Sequence, residues 1–248
     1  MASEGVQSVE RAARVLQVLA EGGWAMGMTE IARATGLGKS TTHRLLASLT
    51  RADFVRVEPI TRQYSLGRGL LQLTTTWLQG VEIRSVAVPH LRSLRHETRE
   101  TVSLNVRDGD NRVAVERLDT AHEIRFVVEL GQALPLHIGA SGKAILAFLP
   151  ETELSEVIAR ASIEARAASK LRDELAAIRR RGVACTSGER LAGTRSIAAP
   201  VFNADGAVVA SVSILSLESR LQGVDEAPFQ KMAQDTAAKV STELGWPG

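Results

Sequence analysis

Apolar residues recur every three to four positions through the first fifty residues, and at every second position from about residue 101. The first rhythm belongs to helices and the second to strands, so the chain reads as a helical head followed by a mixed body. In the head, Val9, Ala12, Ala13, Leu16, Leu19 and Ala20 mark a first helix, with Ser8 placed to cap it and Gly22-Gly23 to stop it. Thr29 opens a short second helix with Ile31 and Ala34 inward, and Gly36 ends it in a left-handed turn. In a third helix Thr42, Leu45, Leu46, Leu49 and Ala52 share one side; Ser40, Thr41, Arg44, Ala47, Ser48 and Arg51 share the other. Residues 54–57 and 63–66 then alternate around a proline-containing turn, which predicts a hairpin.

Residues 28–55 thus have the shape of a helix-turn-helix, and the hairpin after it that of a wing. The outer side of the third helix is small and polar at its start and basic one turn in. That suits insertion into a major groove about 12 Å wide. Lys39 and the helix N-terminus are expected near phosphate. Arg44 is expected on a guanine edge, with Ser40, Thr41, His43 and Ser48 on bases or backbone and Arg62, near the wing tip, on the flanking backbone. Tyr64 is either a phosphate donor or a residue packed on the helices. Gly38-Lys39-Ser40 is no phosphate-binding loop, because position 33 is arginine where that motif needs glycine; Gly142-Lys143-Ala144 fails at His137 in the same way.

Beyond the wing, Leu66, Leu70, Leu73 and Trp77 form an apolar stripe with Leu71 and Leu78 beside it, a linker helix that needs a partner surface or its own head to pack on. A further helix turns Ile83, Val86, Ala87, Leu91 and Leu94 inward. Val102, Leu104 and Val106 alternate, residues 108–111 turn, and Val113, Val115 and Arg117 resume; residues 124–130 are predicted as a third strand ended by Gly131. Helices are predicted over 141–148, 151–160 and 170–181, strands over 183–186 and 197–202, a turn at 203–206 into a strand over 207–217, and a last helix over about 225–244. This order predicts an α+β body with an antiparallel sheet and helices on one side of it.

Composition narrows the function. Residues 1–70 carry nine Lys/Arg against six acids, and the remaining 178 carry 21 against 22. A mildly basic head on a neutral body fits nucleic-acid binding by the head. Aromatics at 4% offer few stacking platforms for RNA. Cys185 is the only cysteine, which excludes an internal disulfide and suits a reducing compartment. No signal peptide or bilayer-long apolar run is read, so a cytoplasmic protein without membrane association is expected. No histidines pair at metal-ligand spacing, and neither a Cys185–His137 pair nor Ser141 has the local context of a nucleophile. No catalytic set, metal or cofactor is expected.

Five blocks resemble the IclR family of bacterial transcriptional regulators: VQSVERAARVL (6–16), LGKSTTHRLLASL (37–49), YSLGRGLLQL (64–73), LPLHIGASGKAILAFLP (134–150) and SIAAPVFNADGAVVASVSI (196–214). The resemblance covers nearly the whole chain. It implies a winged helix-turn-helix over 1–66 (helix-turn-helix about 28–47), a linker helix over 67–80 and a GAF-like effector domain over 81–248. It also implies a homodimer or dimer of dimers on a double-stranded DNA operator, answering to a small-molecule effector. Gly139, Ala140, Ser141, Thr186, Ser196 and Ser213 fall on effector-contacting positions. Ser196 stands where many members have cysteine, Thr186 where some have an acid, and Leu215 where some carry a hydroxyl, which implies a more apolar pocket. The small-residue loop at 138–142 has backbone N–H groups expected to face an anion, although tight helix packing accounts for Gly139 and Gly142 equally. A repressor of a metabolic operon is expected; an activator, a ligand-binding module or an enzyme without a DNA role are the alternatives.

Overall fold

The computed structural model describes residues 5–79, 82–124 and 126–248, without the side chains of 75–79. The chain divides into two compact units, Met1–Gly80 and Val81–Gly248, which are taken in turn.

In the first unit, helices α1 (Gln7–Glu21), α2 (Met28–Thr35) and α3 (Lys39–Arg51) enclose a small core of Val15, Leu19, Ile31, Leu46, Leu49 and Val55. Each side chain of this size removed from water contributes about 1.5–3 kcal/mol. The buried face of α1 is Val15, Val18 and Leu19, and Val9, part of the apolar pattern that marked the helix, is exposed. The caps also differ from expectation. Neither Ser8 nor Thr29 caps a helix; Val6 and Gly27 occupy those places, and the Gly27 N–H donates to the Glu30 carboxylate at 2.7 Å. The charge that serves the first turn of α2 therefore comes from within the helix. Gly36 ends α2 at φ +71, left-handed as expected.

Strands β1 (Met26–Gly27), β2 (Val55–Val57) and β3 (Gln63–Leu66) make a sheet in the order β1-β3-β2. β1 is too short to show any periodicity. Helix α4 (Arg68–Gln79) follows, with Leu66 and Leu73 exposed, Leu73 by 56%. Trp77 and Leu78, expected on its stripe, lie outside the described side chains.

The second unit is built on a six-stranded antiparallel sheet in the order β6-β5-β4-β9-β8-β7. The strands are β4 (Thr101–Asp108), β5 (Asn111–Leu118), β6 (Ala133–Pro135), β7 (Ala184–Ser187), β8 (Thr194–Phe202) and β9 (Val208–Leu217). Helices α5 (Glu82–Thr98) and α10 (Ala227–Glu243) pack together and on β4, β8 and β9. The buried helix α6 (Ala140–Leu146) lies on β8, β9 and β7, with α8 (Ala165–Arg181) behind it and α7 (Glu151–Arg160) joining their core. The one-turn helix α9 (Glu218–Leu221) follows β9. Helices on one side of the sheet were expected. β4, β8 and β9 are instead buried at consecutive positions, which requires cover on both faces.

The strand expected over 124–130 is absent among the residues described there. Ile124, Val127 and Leu130 are exposed, Ile124 by 73%, and the edge of β5 pairs with β6 instead, through Asn111↔Pro135, Arg112↔Leu134 and Val113↔Ala133. Three exposed apolar residues imitated strand periodicity without having a face to bury. The segment is tied to β5 by single bonds: Arg117 Nη1 donates to the Val128 carbonyl at 2.5 Å, and the Gly131 N–H to that of Ala114 at 3.0 Å.

Candidate functional site

Helix α3 begins after Gly38, which is extended, and the Thr42 hydroxyl donates back to the Gly38 carbonyl at 3.1 Å. Thr42, Leu46 and Leu49 are buried, which turns the opposite side outward. Lys39, Ser40, His43, Arg44 and Ser48 are exposed there, and Thr41 is half-buried beside them. Among the described residues Lys39, Arg44 and Arg62 have no acidic partner, whereas Arg68 is paired with Asp53 at 2.6 Å. The three unpaired cations keep their whole charge for a partner. One feature escaped the sequence reading: Arg51 Nη2 donates to Ser48 Oγ at 3.1 Å, which takes one lone pair of that oxygen and leaves its proton available. Arg62 is exposed in the β2–β3 turn, at φ +56. Tyr64 is half-buried and packs on the head core.

In the second unit, Gly139, Ala140, Ser141, Thr186, Ser196 and Ser213 all line one cavity. Strand register explains the meeting. Thr186 faces Ser196 across β7–β8, Ser196 faces Leu215 across β8–β9, and Ser213 faces Ser103 across β9–β4. These positions alternate along their strands and so project from the same sheet face, toward α6. Ser211, on the same side of β9, donates its hydroxyl to the Ser141 carbonyl at 2.9 Å and ties α6 down. Leu215 lines the cavity as well. The cavity holds about 50 Å³, far below the roughly 300–1,000 Å³ of ligand pockets for drug-sized molecules.

The loop leading into α6 differs from expectation in one respect. Its N–H groups do not all face open space: Gly139 donates to Glu189 Oε2 at 3.0 Å and Ala140 to the Thr186 hydroxyl at 3.1 Å. Glu189 also takes Lys143 Nζ at 2.5 Å, and Glu174 takes the same ammonium at 2.8 Å. Lys143 is 7% exposed, so its charge is held by two carboxylates that bridge α6, α8 and the 188–193 turn. The same ammonium, after burial itself, holds His137 below the ordinary histidine range.

Arg112, on β5, is the largest omission of the sequence reading. It lines the cavity at 6% exposure, and burial, with Arg190 as a lesser like charge, pushes its guanidinium down to about 10. Ser103 and Asn105 on β4 also line the cavity and were missed. Their signal was present in the sequence, as Thr101, Ser103 and Asn105 alternate with Val102, Leu104 and Val106. Cys185 is half-buried, with its thiol pushed up chiefly by burial, the reverse of an activated nucleophile.

A polar, basic helix face on a small helix-turn-helix unit, joined in one chain to a domain that contains a cavity, is the build of a DNA-binding regulator. Comparison with known proteins specifies the family. Residues 8–59 match the IclR helix-turn-helix domain, and residues 75–242 match the bacterial transcriptional regulator IclR C-terminal domain. The HTH-type transcriptional regulator XynR of Escherichia coli K12 is 31% identical over 98% of this chain and 98% of its own. The HTH-type transcriptional repressor AllR of the same strain is 31% identical over 99% and 93%. The crystal structure of the Thermotoga maritima IclR superposes with a TM-score of 0.82 at 27% identity, over 96% of this chain and 99% of that one. The chain belongs to the IclR family of bacterial transcriptional regulators. It is a DNA-binding regulator and not an enzyme. Among the described residues no helix is long and apolar enough to cross a membrane.

Proposed function

We propose that the chain is a repressor of a metabolic operon in the cytoplasm, acting as a homodimer, or a dimer of such dimers, on a two-fold DNA operator. The observation that carries this reading is the outward face of α3, where Lys39 and Arg44 are exposed without acidic partners among the described residues. In a dimer two such helices enter successive major grooves, with half-sites about 34 Å apart or a multiple of that. Arg44 reads a base edge; Lys39 and Arg62 hold phosphate; Ser40, Thr41, His43 and Ser48 complete the surface. The exposed Leu66, at the end of β3, and Leu73, in α4, support a linker that meets a second copy. The repressor name of AllR, a relative over almost the whole chain, supports the sign of regulation.

The cavity flanked by Gly139, Ala140, Ser141, Thr186, Ser196 and Ser213 takes the effector. Its ligand regulates only through a difference in affinity for the DNA-competent and DNA-incompetent arrangements of the dimer. The test is fluorescence anisotropy on operator and random duplexes across a salt series. Arg44→Ala loses roughly 1–3 kcal/mol on the operator and relaxes base preference, while Lys39→Ala weakens every sequence alike and lowers the salt slope by about one. If both variants bind both duplexes as the wild type does, α3 is not the reading helix.

A further inference from the structure

Ile60 stands at the tip of the β2–β3 hairpin, 89% exposed, in a turn whose other outer residues are Pro59, Thr61, Arg62 and Gln63. An exposed isoleucine needs no explanation by itself. This one is set in a stiff and basic turn. Pro59 fixes one backbone angle next to it. The Arg62 N–H donates to the Glu58 carbonyl at 2.9 Å, and the Glu58 N–H to that of Gln63 at 2.8 Å. Arg62 holds φ +56 inside that frame, a left-handed conformation that a Cβ disfavours. Glu58, the one acid between residues 57 and 63, is half-buried at the base of the turn. Arg62 forms no ion pair among the described residues.

The surroundings of Ile60 narrow what it meets. The nearest exposed leucine along the hairpin, Leu66, lies at the opposite, open end, paired with Val55. A stable protein interface takes about 800 Å² from each partner, which one isoleucine among Thr61, Arg62 and Gln63 does not supply. The minor groove of DNA asks for less: a single apolar side chain pressed between two base pairs, with cations on the phosphates beside it. The reach is suitable. Ile60 is five residues beyond the buried Val55, at most about 16 Å of extended chain. Half a turn of duplex, roughly 17 Å, separates the centre of a major groove from that of the next minor groove. β2 packs on α3, so a hairpin rooted there ends about one groove away from the helix that enters the major groove.

We propose that the hairpin tip enters the minor groove beside the major groove read by α3, and that Ile60 wedges into a pyrimidine–purine step there while Arg62 holds the adjoining phosphate. This rests on α3 being the reading helix. Pyrimidine–purine steps are easily kinked and unstacked, and an inserted apolar side chain bends the duplex toward the major groove. A tip stiffened beforehand loses little freedom on insertion. Ile60 then makes the regulator sensitive to base pairs that α3 never touches.

The experiment uses the full chain and a pool of random-sequence duplexes, from which the wild type and each variant enrich their preferred sites. The wild type enriches a half-site for α3 and, about half a turn from its centre, a TA or CA step. Ile60→Ser keeps the half-site and loses the flanking step; Ile60→Met, which retains an apolar wedge, keeps both. On the enriched duplex, 2-aminopurine at the flanking step brightens when the wild type binds and stays quenched with Ile60→Ser. That variant binds roughly tenfold more weakly and bends the duplex less in permuted-site gel shifts. It melts with the wild type, because Ile60 is almost wholly exposed. No flanking step enriched by the wild type, the same step enriched by Ile60→Ser, or a 2-aminopurine that stays dark with the wild type overturns the wedge and leaves the tip on the backbone alone. A lower melting temperature in Ile60→Ser overturns it too, since Ile60 would then serve packing. Arg44→Ala, run in the same pools, loses the half-site and keeps the flanking step. If it keeps the half-site, the α3 reading fails by itself, and Ile60 is still judged at the flanking step.

Discussion

Gly142→Ala is the sharpest test of how the cavity of the second unit is built. Gly142 lies in α6, and a Cβ placed there would stand 2.4 Å from the Leu136 carbonyl oxygen and 2.9 Å from its carbon. Ordinary contact begins at 3.4 Å, so either α6 or the chain at Leu136 must retreat. Neither has slack: all seven residues of α6 are buried, and Lys143 is anchored by two carboxylates. Overpacking against yielding side chains costs about 1–3 kcal/mol, and a backbone obstacle places this variant at the upper end. For a unit of this size that is a fall in melting temperature of roughly 4–10 °C. The assay is thermal unfolding followed by the near-ultraviolet signal of Trp246 stacked on Phe202, centroids 4.8 Å apart, which reports on the second unit. Gly36→Ala is the control. Gly36 has open space around it and a left-handed backbone, so its cost of roughly 1–2 kcal/mol falls on the head and spares the body signal. A Gly142→Ala protein that melts with the wild type would show that α6 is not wedged against Leu136.

Two further variants address charge inside the body. Lys143→Ala strands Glu174 and Glu189; breaking a buried pair costs about 3–5 kcal/mol, and since both acids remain about a third exposed to water the lower end is expected. Urea unfolding checks it, and a loss no larger than that of an exposed surface pair would contradict the account. His137, held below its ordinary range by burial and then by Lys143, is neutral in the fold. An unfolded chain therefore takes up the proton first as pH falls through the ordinary value of about 6.5. The body loses stability below that value until the folded histidine also titrates; His137→Gln flattens this part of the profile, and a wild-type profile already flat there would refute the assignment.

Much of this arrangement was legible in the sequence, for identifiable reasons. Gly36 fixes the turn of the helix-turn-helix because a left-handed residue is required there, and the buried Thr42, Leu46 and Leu49 fix which side of α3 faces out. Of the six residues expected around the effector, Thr186, Ser196 and Ser213 reach one cavity because the strands bring alternate positions to a single face, and Gly139, Ala140 and Ser141 meet them there at the start of α6. Helix starts were less legible, since Ser8 and Thr29 have suitable side chains but the chain enters both helices two residues earlier. The segment containing Ile124, Val127 and Leu130 was misread because periodicity records where apolar residues stand and not whether a neighbour covers them. Arg112 stayed hidden for the converse reason: β5 is buried at four successive positions, from Arg112 to Val115, so no alternation singles out its inward charge.

The sheet order has a consequence for how the protein is made. β4 to β6 come from the first part of the second unit and β7 to β9 from the last, and the two sets join along one line, β4 against β9. Ser103 and Ser213 stand opposite each other across that line, 110 residues apart in sequence. During synthesis β4 waits with an open edge until the ribosome has released β9, a long-range closure of the slow kind. Arg112 belongs to the early set and Ser196, Ser213 and Leu215 to the late one, so no unfinished chain contains the complete cavity. A ligand that touches both sets clamps the line shut and lowers the population of molecules in which it has parted. The pool of regulator able to respond is thus also the pool that has completed its fold.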